Sequence, residues 1–454
     1  MSMWEIFKIC AVILVFAGCD MSSENVRKSV CAGTWYSADK EELIRQISGF
    51  MENATKREKE IKAIIVPHAG YAYSGQVAAE AFKQLGKFKK AIILGTSHRY
   101  PLKGLSLTKY DYYETPLGKV KVCDEIRKEK IPYVNQSEET EHSIEMEIPF
   151  LQKINPKMCI IPLIVGEVKN ELVNLLERYY DDDTIIIVSA DLSHFHNYGE
   201  ARELDDESIN AVLNLDSEKI KECEIDNPYA ISSLIEFAKK KNWNSELLMY
   251  KNSGDVTGDK SSVVGYGAIG FYESYYSNEE KEYMLSLAKK SVESYVKSGK
   301  RINATKIPDK LKERKACFVT LTRNGELRGC IGNLEPVGML YEGIIDNAIT
   351  AAMNDGRFEP VSEDELDELA YEVSVLTEPK KIKYKDEEDL FAKIKGKGVT
   401  LEKDGYSATY LPQVWEMFDN EEDFLSSLCQ KAGLKKDEWK KGINVEVYEA
   451  IVIK

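Results

Sequence analysis

The chain has 454 residues, 43% of them hydrophobic and 30% charged, with a net charge of −15. That is length for two or three soluble domains with real cores, and it excludes a disordered, collagen-like or multi-span membrane protein. Neither half is basic, which argues against phosphate-backbone binding and leaves nucleic acid out as a partner.

In chain order, the first feature is Ile9 to Ala17, an apolar run too short to span a bilayer. It ends in Phe16-Ala17-Gly18-Cys19, which resembles the lipobox of a bacterial lipoprotein, with Cys19 as the lipidated residue. A start at Met21 would instead give a cytoplasmic chain, and both readings stay open. Ala63 to Val66, Lys90 to Gly95, Cys159 to Val165 and Thr184 to Ser189 are short, continuous apolar runs, the pattern of strands buried on both faces. Helical stretches alternate with them, such as Gly75 to Leu85, so an α/β domain with a mostly parallel sheet is expected. Val263 to Tyr272 reads as a closing strand, and Glu273 to Glu280 as a boundary. The expected division is 1–21 as signal or upstream extension, 22–276 as the α/β domain and 277–454 as a second domain.

Beyond the boundary the texture changes to α+β. Tyr283 to Tyr295 has a helical apolar stripe, Ala316 to Thr322 reads as a strand, Asn324-Gly325 as a hairpin turn, 340–353 as a helix and Ala370 to Leu376 as a strand. The nine cysteines are scattered with no Cys-x-x-Cys spacing, which reads as thiols kept reduced and excludes zinc-finger and thioredoxin motifs.

Only five histidines exist, His68, His98, His142, His194 and His196. Four of them follow predicted strands closely, and the carboxyl ends of strands in an α/β sheet are where ligands bind. Several imidazoles at one sheet edge point to a metal or acid–base site. The pair Glu139 and His142 has di-iron spacing, but it occurs once and Pro149 is expected to cut its helix short.

The ordered motifs Pro67-His68-Ala69-Gly70-Tyr71, Gly95-Thr96-Ser97-His98, Glu141-His142-Ser143-Ile144-Glu145 and Ser189-Ala190-Asp191-Leu192-Ser193-His194 resemble the Memo family over about residues 26 to 272. That resemblance implies a fold similar to the class III extradiol dioxygenases, which use non-haem iron, and a redox metal ion, iron or copper, as cofactor. It implies His68 and His98 as metal ligands. Where the family often has a cysteine ligand, alignment on Pro228 places Glu224, giving two histidines and a carboxylate as in non-haem iron oxygenases; a shift of one residue would place Cys223 there instead. His142, Asp191 and His194 would be catalytic or supporting groups.

Residues from about 280 to 454 resemble the AMMECR family, with Leu327-Arg328-Gly329-Cys330-Ile331-Gly332 as its signature. Arg328 could activate the Cys330 thiol, or Arg328-Gly329 could be a tight turn with Cys330 packed as a small apolar residue. Members of both families occur with a radical SAM protein in the AmmeMemoRadiSam system, which implies that protein as partner beside a small-molecule or protein substrate. The leading expectation is metal-dependent redox or oxygenase-like chemistry joined to a recognition domain. A metal-binding adaptor without turnover and a metal-dependent hydrolase with His194 as base are the alternatives.

Overall fold

A computed structural model of the protein describes residues 24–57, 59–418 and 420–454. The Cys19 lipobox lies outside these residues. No helix among the described residues is long and apolar enough to cross a membrane. The described chain folds as two compact units, divided between Ser274 and Tyr275.

The first unit runs β1 (Val26–Arg27), α1 (Lys40–Asn53), β2 (Ile61–Val66), α2 (Tyr71–Phe82), β3 (Lys90–Gly95), β4 (Leu105–Leu107), β5 (Tyr112–Thr115) and β6 (Gly118–Val122). It continues α3 (Asn135–Glu138), α4 (Ser143–Ile154), β7 (Cys159–Val165), α5 (Glu171–Tyr179), β8 (Thr184–Ser189), β9 (His194–His196) and α6 (Tyr198–Leu213). It closes with α7 (Pro228–Lys241), β10 (Trp243–Asn252), α8 (Ser253–Thr257) and β11 (Val263–Glu273). The sheet order is β1-β5-β6-β7-β3-β8-β2-β11-β10, with β4 on β7 and β9 on β11. The block β6-β7-β3-β8-β2 is parallel throughout. Its strands are Ile- and Val-rich and nearly solvent-free along β2, β3, β7 and β8, as helices covering both faces require. The expected α/β class holds; β11 pairs antiparallel with β2 and with β10, and β10, not β11, forms that edge of the sheet.

Three expectations need correction here. Helix α2 begins at Tyr71, not Gly75, capped by Gly70. Pro149 does not cut its helix short: α4 runs from Ser143 to Ile154 with Pro149 inside it. Because α4 starts at Ser143 with His142 as its cap, Glu139 and His142 share no helix. The third concerns the cysteines. Strands β6 and β7 are parallel neighbours with Lys121 opposite Cys159, so Cys123, just past β6, meets Cys159 at the start of β7 in a disulfide. A separation of 36 residues gives no sequence signal for that pairing. In the chain-entropy picture a closed loop of this size stabilises by about 3–4 kcal/mol. Cys123→Ser is therefore expected to lower unfolding free energy by about that amount, with non-reducing peptide mapping of the wild type joining residues 123 and 159; recovery of both thiols free would refute it.

The second unit contains α9 (Asn278–Ser298), β12 (Cys317–Arg323), β13 (Glu326–Gly332), α10 (Leu340–Met353), β14 (Leu369–Leu376), β15 (Lys380–Lys381), α11 (Glu387–Ile394), β16 (Gly398–Lys403), β17 (Tyr406–Tyr410), α12 (Glu421–Lys431), β18 (Asn444–Tyr448) and β19 (Ala450–Ile453). Helix α9 opens on a reciprocal capping box between Ser277 and Glu280. Two antiparallel sheets, β13-β12-β14-β19 and β15-β18-β16-β17, give the expected α+β texture. Asn324 and Gly325 both have positive φ, 52° and 84°, which fits the hairpin turn between β12 and β13.

Candidate metal centre at the sheet edge

Adjacent strands β3, β8 and β2 all end at the same edge of the sheet. The chain leaving β2 carries His68, the chain leaving β3 carries His98, and the chain leaving β8 carries Asp191 and His194. The start of α4 supplies His142. It comes so close to the end of β3 that a Cβ on Gly95 would lie 2.6 Å from the Ser143 hydroxyl, while that hydroxyl accepts from Thr96 N at 3.1 Å. A glycine at that position is what lets His98 and His142 share one site.

The rings of His98 and His142 stack at 4.4 Å, and His68 meets each of them edge-on at 5.0 and 5.2 Å. Trp35 covers His142 at 4.3 Å. Asp226 reaches into the group: its Oδ2 lies 3.1 Å from His68 Nε2, 3.4 Å from His98 Nε2 and 4.0 Å from His194 Nε2. The remaining ring nitrogens are held from behind, His68 Nδ1 at 2.9 Å from Ser189 Oγ and His98 Nδ1 at 3.0 Å from Glu141 Oε1. Asp191 accepts the His68 backbone N–H at 2.8 Å.

Charge follows this geometry. Burial works against the His68 cation, but Asp191 and Asp226 outweigh it and raise its pKa. Burial likewise opposes the cation of His98, yet its hydrogen bonds to Asp226 and Glu141 lift it to about 10. His142 is the opposite case: burial, then the neighbouring His68 charge, lower it to about 3, so it stays neutral. Burial alone would raise the Asp226 pKa, but the two histidines hold it below the ordinary carboxylate range.

Two overlapping donor sets arise among the described residues, His68 with His98 and His142, and His68 with Asp191 and Asp226; within each, the donor atoms lie within 4.8 Å of one another. Imidazole nitrogens with a carboxylate alongside suit zinc, copper, iron and nickel. Both His68 and His98 also have their second nitrogen fixed by a hydrogen bond, as ligating histidines need. The residues present fit a transition-metal ion.

Of the residues expected from sequence, His68, His98, His142 and Asp191 come together, with His194 at the rim. Glu224 does not join them: its carboxylate lies 2.9 and 3.0 Å from His196 Nε2 and accepts the His194 backbone N–H at 3.1 Å. Cys223 turns away too, its thiol donating to the Lys219 carbonyl, with burial raising its pKa. The carboxylate beside the histidines is Asp226. Its backbone N–H bonds the Asp191 carbonyl at 2.9 Å, and the next residue, Asn227, turns left-handed (φ 59°) before Pro228 opens α7. Aligning on Pro228 stepped past that turn. The pattern Asp-Asn-Pro at a helix start is the signal that could have found it. Glu141 and Ser189 lie inside the ordered motifs, but nothing in the sequence marks them as partners of the rings.

In the second unit Arg328-Gly329 is not a turn; it lies in β13. Arg328 grips Glu365 with two hydrogen bonds of 2.8 and 2.9 Å and gives a third to the Glu359 carbonyl. Its guanidinium is thus committed to holding residues 359–365 and not to activating Cys330. The Cys330 N–H donates to Asp355, which also binds Arg357, and the Cys330 sulfur accepts from Thr320 Oγ1 at 3.2 Å.

Comparison with known proteins places both halves. Residues 27–270 match the family described as Memo-like protein, and residues 285–453 match AMMECR1. A MEMO1 family protein of Aquifex aeolicus is 35% identical over 259 residues, covering 53% of this chain and 97% of that protein. One from Methanosarcina mazei is 32% identical, covering 54% and 98%. An uncharacterised protein of Pyrococcus horikoshii with a solved structure shares 40% identity, with a TM-score of 0.35, over 38% of this chain and 90% of that one. On the family match over more than half its length and 35% identity to a relative covered almost whole, the chain belongs to the Memo family and carries an AMMECR1 domain in the same polypeptide.

Proposed function

We propose that the Memo-like domain holds a redox-active ion, iron or copper, at His68, His98 and His142 with Asp226 beside them, and uses it for oxygenase-like or redox chemistry. The observation that carries this reading is the convergence of three imidazoles and a carboxylate on one sheet edge. Iron or copper bound there would supply one-electron and dioxygen chemistry. Asp191 orients the His68 backbone, Glu141 orients the His98 ring, and Trp35 shields the His142 face from water. His194 is half-buried at the rim, where a side chain of its kind can give or take a proton. The AMMECR1 domain recognises a substrate or partner in this reading, with a radical SAM protein of the same system as the partner.

Protein purified without oxygen and loaded with Fe(II) or Cu(I) is expected to hold near-stoichiometric metal by mass spectrometry and to consume O₂ in a metal-dependent manner when a reductant is present. Failure to retain either metal overturns the reading; retention without O₂ consumption reduces it to a metal-binding adaptor.

A further inference from the structure

Behind His68 the contact to Ser189 continues into a buried chain of polar groups whose protons the metal reading leaves unassigned. Ser189 Oγ sits 2.9 Å from His68 Nδ1, 2.7 Å from the Ser143 carbonyl oxygen and 2.8 Å from Glu147 Oε1. Ser189 and Glu147 are 0% and 1% exposed.

A hydroxyl has one proton and two lone pairs. The Ser143 carbonyl has no proton to give, so at 2.7 Å the Ser189 proton must point to it; otherwise two lone pairs would face each other. The other two partners must then be the donors. His68 donates through Nδ1–H, and Glu147 donates through a carboxylic O–H. An ionised Glu147 would take the Ser189 proton and leave the Ser143 contact without one.

We propose that Ser189 and Glu147 are positioning residues for His68: Glu147 is a neutral carboxylic acid that donates to Ser189, and this fixes a proton on His68 Nδ1, so that Nε2, which bonds Asp226 at 3.1 Å, is the nitrogen that gives up its proton and takes a metal ion. The environment agrees, because burial and the nearby Asp191 charge push the Glu147 carboxyl well above the ordinary range. It also accounts for an acidic residue in the middle of a core, where an unpaired carboxylate would be strongly unfavourable. The ligand role of His68 is the reading given above; the proton placement stands on the hydrogen-bond count.

Two measurements on metal-free protein test the proton placement whether or not iron binds. Infrared difference spectra between wild type and Glu147→Gln at neutral pH are expected to show the carbonyl band of a protonated carboxylic acid in the wild type only. Long-range proton–nitrogen NMR, at a pH high enough for the His68 ring to be neutral, is expected to show the remaining proton on Nδ1. A carboxylate band in place of the acid band, or an unprotonated Nδ1, overturns the proposal. With Fe(II) as probe, Ser189→Ala and Glu147→Leu are expected to weaken binding roughly 10- to 100-fold, the range for lost supports of a ligating histidine. Glu147→Gln, neutral and still able to donate, is expected to stay within about threefold of wild type, and it keeps the test decisive if the leucine variant does not fold. An equal loss in Glu147→Gln would overturn the assignment of a neutral acid.

Discussion

His98→Ala is expected to abolish near-stoichiometric iron or copper binding while leaving the fold intact. His98 lies past the end of β3 with its side chain 27% exposed, so its removal opens no cavity in the core. Far-ultraviolet circular dichroism should match wild type while metal content falls to background. His68→Ala should lose metal equally, with some stability as well, because that ring is buried. The neighbouring acids divide by position. Asp226→Asn should weaken binding by about tenfold or more, whereas Glu224→Gln and Cys223→Ser should do little. Undiminished metal in both histidine variants, or a dominant effect of Cys223→Ser, would show that the ion sits elsewhere.

Glu145→Leu is expected to be the most destabilising single change near the site, by about 3–5 kcal/mol. The Glu145 carboxylate is 1% exposed and gathers donors from one short segment: Arg27 Nη1 at 2.9 Å, Ser29 Oγ at 2.6 Å, Cys31 N at 2.9 Å and Tyr36 OH at 2.8 Å. Without it the buried Arg27 guanidinium loses its ion-pair partner and keeps only the Glu138 and Glu141 carbonyls as hydrogen-bond acceptors, and residues 27–36 lose their attachment to α4. Trp35 belongs to that segment, so its packing on His142 should loosen too. Denaturant unfolding gives the free energy, and amide exchange confined to residues 27–36 would show where it is lost. A change under about 1 kcal/mol would mean that this cluster of hydrogen bonds contributes little beyond what water offers the same groups.

What was legible in the sequence was whatever rests on continuous apolar runs. The four central strands were readable because burial on both faces leaves no polar alternation to confuse them, and β3 and β8 appear with the expected ends. Histidines placed just past those strands were readable as a site for the same reason, since strand ends of a parallel sheet converge. The short strands β4, β5 and β6 were not, because three to five residues are too few to carry a period. Pro149 misled because a propensity argument assigns every interior proline to a helix end, whereas the packing of α4 against the sheet outweighs the lost hydrogen bond. Asp226 was missed because its position depends on one left-handed residue, Asn227, after a long connection. Glu224 looked equivalent at the level of sequence. Two residues decide between a carboxylate on His196 and one on His68 and His98.

The Cys123–Cys159 disulfide has a consequence for how the centre survives damage. The covalent ring it closes contains α4 and with it Glu141, His142, Glu145 and Glu147. A single backbone cut anywhere between the two cysteines leaves both pieces tethered, so their re-association is intramolecular and governed by an effective concentration rather than by dilution. Nicked protein should therefore keep its histidine cluster under non-reducing conditions and lose it once a thiol reductant frees the pieces. A single hydrolytic cut within the ring therefore does not release the segment that supplies His142.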